Sequence, residues 1–262
     1  MGRQFHIAGS VFQTTYTCFQ PVSIERREIR ERRVGLCGGS KGQCMIVSVI
    51  LPTYNESGNI VGLVNEIIKN IPTTWDYEII VVDDNSPDGT LPLVQESFAG
   101  NTKVKPILRT TDRGFAKSIR AGIEAAKGDK VIVMDTDFTH DPVEIPVLLH
   151  ISACYDIVSG SRFCAGGRMQ SVKHYLASFL YNLVIRLILR TQIQDNLGGF
   201  FVTEREKLMK LPFDAIFFGY GEYFFRLLYF AQLEKMTVVE IPANYRSRES
   251  GNSKSSFFKM LF

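Results

Sequence analysis

The stretch Val131-Ile132-Val133-Met134-Asp135-Thr136-Asp137 is a short apolar run that ends abruptly in two carboxylates one residue apart. Such a run reads as a strand buried on both faces, the kind found in parallel sheets. In open α/β sheets ligands sit beyond the carboxyl ends of those strands, so the two Asp residues face a candidate site. A single acidic pair there is often only a turn or a helix cap. The pattern recurs, however. Val47-Ser48-Val49-Ile50-Leu51 runs into Pro52-Thr53-Tyr54-Asn55-Glu56, and Ile79-Ile80-Val81-Val82 runs into Asp83-Asp84-Asn85-Ser86-Pro87-Asp88-Gly89-Thr90. Three strands deliver polar, mostly acidic residues to one edge.

Working outward, apolar runs predict strands near residues 46–51, 78–83, 104–109, 130–134 and 156–160, and helical periodicity marks 57–70, 89–98, 114–127 and 142–151. The alternation is that of βαβ units in a mostly parallel α/β sheet. Leu197–Thr203 and Met236–Ile241 add two strands, and helices near 172–190 and 219–233 lie between or beside them. No repeat or second domain is visible. At 262 residues with 45% hydrophobic content the chain can bury one sizeable core.

The net charge of +3 is unevenly placed. Residues 1–44 hold seven Lys or Arg against three Glu, a surplus of four that leaves about −1 for the remainder. This segment reads as a basic, flexible extension, and 45–262 as the catalytic unit, which begins at its first apolar strand. Five cysteines, odd in number and without Cys-x-x-Cys spacing, indicate neither a disulfide framework nor a zinc site, and favour a reducing compartment. No secretory signal is visible.

These segments carry a resemblance. The run from Ser48 to Glu56, Val81 to Thr90, the Asp135/Asp137 pair, Gly160-Ser161-Arg162-Phe163, Asp195 to Phe201 and Arg248-x-x-Gly251-x-Ser253-Lys254 occur in the order found in family 2 glycosyltransferases. Within that family the chain resembles the dolichol-phosphate mannosyltransferases and their polyprenyl-phosphate relatives. The resemblance implies a GT-A fold, Rossmann-like, with helices flanking the sheet and amphipathic helices towards the C-terminus. It implies inverting transfer of a sugar, mannose from GDP-mannose first and glucose from a UDP-sugar second, to a polyprenyl phosphate. It also implies an enzyme that is cytoplasmic and peripheral at the cytosolic face of a membrane, and it allows a membrane-anchoring partner subunit. Nucleic acid is not an expected partner.

Roles follow residue by residue. A nucleotide-sugar diphosphate needs its charge neutralised, and Mg²⁺ or Mn²⁺ prefers the oxygen ligands that Asp135 and Asp137 offer. By resemblance Asp137 is the closer metal ligand, while Asp135 helps place the ribose or the metal. The position two residues on, which can hold Gln in this group, is Thr139, so the third ligand is open, with His140 or water as substitutes. Pro52, Tyr54 and Glu56 match positions that line base and ribose. Asp83 and Asp84 are assigned to nucleotide binding because adjacent carboxylates at a buried strand end are costly without partners. The acceptor is an anion, so Arg162, Arg246, Arg248 and Lys254 are candidates to hold phosphate, with His174 a weaker one where an Arg is expected. Asp195, at the head of a Gly-Phe turn, is a candidate to orient sugar hydroxyls.

The helix near Tyr175–Arg190 has two readings. Leu176, Phe179, Leu180, Leu183, Val184, Leu187 and Ile188 recur at helical spacing, and core packing is the default use of such a stripe. Lying on a bilayer is the other, and the lipid acceptor implied by the resemblance favours it. Phe217–Leu233 poses the same choice. Neither segment is long and uninterrupted enough to span a membrane.

Rival classes fare worse. No Gly-x-Gly-x-x-Gly follows the first strand and no Gly-x-x-x-x-Gly-Lys-Ser/Thr occurs, which disfavours dehydrogenases and P-loop enzymes. The sole Trp, Trp75, is in the wrong context for the Gln-x-x-Arg-Trp element of processive synthases. A nucleotidyltransferase shares the fold logic and the acidic site, and release of pyrophosphate would identify it. A non-catalytic sugar-nucleotide binding module is the non-enzyme alternative.

Overall fold

The computed structural model describes residues 17–18, 44–169 and 172–245. The first half runs β1 (Thr17–Cys18), β2 (Ile46–Thr53), α1 (Ile60–Asn70), β3 (Asp76–Asp83), α2 (Thr90–Ser97), β4 (Val104–Leu108), α3 (Phe115–Ala125) and β5 (Lys130–Val133). A 3-10 turn (Pro142–Glu144) then leads into α4 (Ile145–Ile151), followed by β6 (Ile157–Ser161), β7 (Arg168–Met169) and α5 (Val172–Leu189). The rest is β8 (Phe201–Glu204), α6 (Arg205–Leu208), α7 (Phe213–Ile216), α8 (Tyr223–Leu233), β9 (Val238–Pro242) and β10 (Asn244–Tyr245).

Eight strands form one sheet in the order β1-β9-β6-β8-β5-β2-β3-β4, and β7 pairs with β10 in a small second ribbon. All pairings in the main sheet are parallel except those of β8, which runs antiparallel to both β5 and β6. The apolar runs are continuous because both faces are covered, yet the two-residue period of a strand still sorts them. Ile50 packs in one layer with Ile119 and Ile123 of α3, while Val49 and Leu51 pack in the other with Leu63, Val64 and Ile67 of α1. Gly122 lets α3 lie flush on β2, since a Cβ there would run into Ile50.

Three features depart from the sequence reading. The strand expected from Leu197 begins only at Phe201, because Gly199 takes a left-handed φ of 75° that interrupts extended backbone. Two residues of the basic extension, Thr17 and Cys18, pair in parallel with Val239 and Glu240 at the sheet edge. Core packing, the default for the apolar stripe of α5, does not hold either. Leu176, Leu180, Leu187 and Ile188 are 59%, 54%, 72% and 73% exposed, while Asn182 and Ile185 are buried on the opposite side. Asn182 faces inward because its amide has partners there: it accepts the Asn196 N–H at 2.7 Å and donates to the Ser178 carbonyl at 2.9 Å. By contrast α8 is a core helix, burying Tyr223, Phe224, Leu227, Leu228 and Ala231. Among the described residues no helix is long and apolar enough to cross a membrane.

Candidate active site

The register places three strand ends side by side. β2 lies between β3 and β5, with Thr53 opposite Asp83 and Ile50 opposite Val133, so the residues that follow these strands emerge together. Each of the loops passes through a left-handed residue: Asn55 and Asn85 at φ 56°, and Phe138 at φ 61°. Asn tolerates that conformation, but Phe does not do so readily, and such an outlier between Asp137 and Thr139 is typical of a site held in a set geometry.

The first two loops are zipped together by side chains of the second. Ser86 Oγ accepts the Asn55 N–H at 2.9 Å, Thr90 Oγ1 accepts the Glu56 N–H at 2.9 Å and Asp88 accepts the Ser57 N–H at 3.0 Å. Burial pushes the Asp88 carboxyl up, but hydrogen bonds from Thr90 and Ser57 outweigh it and leave its pKa lowered. Asp83 and Asp84 have the partners whose lack would have been costly. Asp83 accepts from Ser86 N and Oγ at 2.8 and 2.5 Å, and Asp84 accepts from Arg109 Nη1 and Gly114 N, both at 2.6 Å. The cost argument that assigned them to nucleotide binding therefore fails, although their position at the strand end is as expected. Pro52 is buried within β2, where its carbonyl takes the Thr136 hydroxyl at 3.4 Å. Tyr54 is 39% exposed, with the Arg113 guanidinium 5.1 Å from its ring centroid. Glu56 accepts from Asn59 Nδ2 at 2.9 Å. Arg109 and Arg113 went unnoticed in the sequence because the strand that Arg109 follows, Val104–Leu108, carries Lys105 and Pro106 and does not end in acids, and Arg113 lies further along the loop.

At the third loop Asp137 Oδ1 accepts from Thr139 N at 3.1 Å and from Thr139 Oγ1 at 2.6 Å. Thr139 thus braces the acid. His140 is buried, and both ring nitrogens are committed: Nδ1 to the Asp135 N–H at 2.8 Å and Nε2 to the Gly198 carbonyl at 3.2 Å. Its ring stacks on Phe200 at 4.9 Å. The expectation that His140 could supply a third metal ligand is corrected, since that geometry makes it a brace between two loops. The Asp135 side chain is 38% exposed. Among the described residues no group of three or more His, Cys, Asp or Glu side chains converges to hold a metal.

On the far side of β8 stands the second cluster. Arg162 follows β6 and Asp195 precedes β8, and because β8 runs antiparallel its leading residues arrive where β6 ends. Arg162 Nε and Nη2 donate to Asp195 Oδ2 and Oδ1 at 2.8 and 2.6 Å, and the Arg162 N–H adds a third bond at 3.1 Å. Asp195 is fully buried, so any influence it has on a substrate passes through the guanidinium. Although burial works against the Arg162 charge, Asp195 more than offsets it and raises the pKa. The guanidinium also lies 5.0 Å from the Tyr245 ring centroid and 5.4 Å from that of Phe163. Phe163 in turn meets Tyr175 and Phe179 of α5, at 5.1 and 5.9 Å. The exposed apolar helix therefore abuts the Arg162 cluster. Arg246, Arg248 and Lys254 lie outside the described residues, as does the side chain of His174.

A family model described as glycosyl transferase family 2 matches residues 48–211. The chain is 36% identical over 215 residues to a dolichol-phosphate mannosyltransferase of Pyrococcus furiosus, covering 80% of this chain and 59% of that protein. It spans less than two thirds of that relative's length. It is 32% identical to an undecaprenyl-phosphate mannosyltransferase of Micrococcus luteus, covering 81% of this chain and 88% of the relative. It is also 34% identical to a polyprenol monophosphomannose synthase of Mycolicibacterium smegmatis, with 79% and 80% covered. Among solved structures, glucosyl-3-phosphoglycerate synthase of Mycobacterium tuberculosis, in complex with Mn²⁺, UDP and phosphoglyceric acid, superposes with a TM-score of 0.62. That match has 20% identity over 79% of this chain and 72% of the other, and supports the fold. The order of the motifs, the mostly parallel sheet and these matches agree: the chain belongs to glycosyl transferase family 2 and is a glycosyltransferase of the GT-A fold.

Proposed function

We propose that this protein transfers mannose from GDP-mannose to the phosphate of a polyprenyl lipid at a membrane surface, with inversion at the anomeric carbon. The observation that carries the reading is a juxtaposition. An acidic strand end suited to a nucleotide-sugar diphosphate and a buried, preformed guanidinium share one sheet edge, and Phe163 beside the guanidinium packs on a helix that turns its leucines outward. Relatives named as mannosyltransferases of dolichol, undecaprenyl phosphate and polyprenol support it.

Asp135 and Asp137 fit a hard divalent cation, Mg²⁺ or Mn²⁺, because both side chains are carboxylates, and the His140 imidazole beside Asp135 has both nitrogens bonded elsewhere. Such a cation, when bound, offsets the charge of the donor diphosphate. The chain's own residues do the rest. The zipped first and second loops shape the nucleotide end, with Tyr54, Glu56 and the Asp83/Asp84 loop around it. Arg162, held by Asp195, faces the incoming phosphate. A phosphate monoester with a second pKa of about 6 is mostly dianionic at neutral pH, so no strong protein base is needed. Catalysis is then mainly positioning and electrostatics. Arg246, Arg248 and Lys254 complete the anion site in this reading.

The test follows labelled sugar from GDP-mannose and from UDP-glucose into polyprenyl phosphate, read as organic-extractable counts, and into a water-soluble phosphorylated acceptor. Transfer from GDP-mannose to lipid is expected. Glycosylation of soluble acceptors alone would overturn the lipid reading, and release of pyrophosphate would indicate nucleotidyl transfer. In the same assay, Arg248→Ala with Lys254→Ala is expected to raise the acceptor KM about tenfold while donor affinity stays within about twofold.

A membrane role for α5 has its own check. Leu187 and Ile188 are exposed, so replacing both with Glu should leave Tm nearly unchanged. Withdrawing two such side chains from a lipid surface removes about 3 kcal/mol or more, which is roughly 100-fold in partitioning. Flotation with phosphatidylcholine–phosphatidylserine vesicles should show that loss. Equal flotation of parent and variant would place the membrane contact elsewhere.

A further inference from the structure

Glu240 lies in the middle of β9, 3% exposed, among Val238, Val239 and Ile241. Nothing in the reaction outlined above uses it, and an apolar residue would be the less costly occupant of a buried strand. Its carboxylate reaches out of the sheet into the segment that precedes β8. Oε2 accepts the Gln194 N–H at 2.7 Å and Oε1 accepts the Asp195 N–H at 2.8 Å. The Ser161 hydroxyl, at the end of β6, is a further donor. Burial pushes the Glu240 carboxyl up, and the nearby Asp195 charge adds to this, while the three hydrogen bonds oppose it.

The segment so held joins the Arg162 cluster to α5, to α8 and, through His140, to the third loop. Asp195 grips Arg162, Asn196 N–H reaches Asn182 of α5 at 2.7 Å, and the Gly198 carbonyl meets His140, whose other nitrogen takes the Asp135 N–H. Tyr223 donates to the Gly199 carbonyl at 3.4 Å. With two consecutive amides pinned by one carboxylate, the direction of the Asp195 side chain is set by a residue more than forty positions away.

We propose that Glu240 is a positioning residue of the acceptor-phosphate site: it fixes the Gln194–Asp195 backbone so that Asp195 presents the Arg162 guanidinium to the incoming phosphate. This rests on the reading of Arg162 given under the proposed function.

The experiment uses the full chain with Glu240→Gln and Glu240→Ala. Gln keeps the shape but replaces one of the two accepting oxygens with an NH₂ donor group, which cannot accept from the second amide. Glu240→Gln should lower kcat about tenfold and Glu240→Ala about 100-fold, with the donor KM unchanged. Amide exchange at Gln194 and Asp195 should accelerate in both. Placed in a background lacking both Arg162 and Asp195 side chains, Glu240→Gln should cost nothing further, because the group it positions is gone. Parent-level kcat in Glu240→Gln, or an equal loss in both backgrounds, would overturn the proposal. The exchange measurement separates the two inferences: a parent protein that transfers no sugar to lipid phosphate sinks the function proposed here, whereas unchanged exchange in Glu240→Gln sinks the Glu240 contact alone. If Glu240→Ala fails to fold, the Gln variant still decides.

Discussion

Asp137→Asn is expected to fold like the parent and lose sugar transfer by a factor of about 100 to 1,000, equivalent to roughly 3–4 kcal/mol of barrier. The geometry separates the turn from the charge. Oδ1 of Asp137 accepts two hydrogen bonds from Thr139, and an Asn Oδ1 can accept the same two, which keeps the strained turn at Phe138 in place. The Thr139 donors then fix which way the amide points. Its NH₂ group must occupy the position of Oδ2, where it offers a donor and no negative charge to a cation. The measurements are kcat at saturating Mn²⁺, the Mn²⁺ dependence of donor binding by calorimetry, and Tm. Near-parent turnover at saturating Mn²⁺ would remove Asp137 from the metal site.

The second large effect concerns the buried pair. Arg162→Ala leaves the Asp195 carboxylate buried without its cation, a loss of about 3–5 kcal/mol, or roughly 10 °C in Tm for a chain of this size. Activity would fall in that variant for a trivial reason, so the informative protein carries Arg162→Ala together with Asp195→Ala. Removing both charges should restore most of the Tm, since no unpaired ion remains. Lipid-phosphate transfer should stay down about 100-fold if, as proposed, the guanidinium offsets the acceptor charge. Arg162→Lys should fail as well, as a point charge cannot reproduce the two-pronged contact with Asp195. If the double variant regains activity along with stability, the pair is a structural tie and the acceptor phosphate is held elsewhere.

Much of the architecture was legible because local patterns and tertiary environment agree. The buried runs at 46–53, 76–83 and 130–133 are strands wherever they pack, and βαβ spacing makes them parallel, so their polar ends share an edge. The residues that misled were those whose surroundings come from distant segments. Asp84 looked unpartnered because Arg109 and Gly114 are 25 and 30 positions away. His140 looked like a ligand because the carbonyl that occupies its Nε2 belongs to Gly198. Nor does periodicity say which side of α5 faces in. The helix buries its Asn because Asn196 supplies a partner, and the leucines are turned outward as a result.

From the sequence by itself came the sheet, its parallel sense, the acidic strand ends and the family, since each depends on neighbours in the chain or on motif order. Only the tertiary structure decided that Arg162 and Asp195 are partners, that Glu240 holds the backbone beneath them and that α5 presents an apolar face. The physical reason is the insertion of β8, antiparallel, between β5 and β6, which brings the segment before that strand to the edge where β6 ends. No local pattern records that insertion, because strand order is chosen by the packing of the whole sheet.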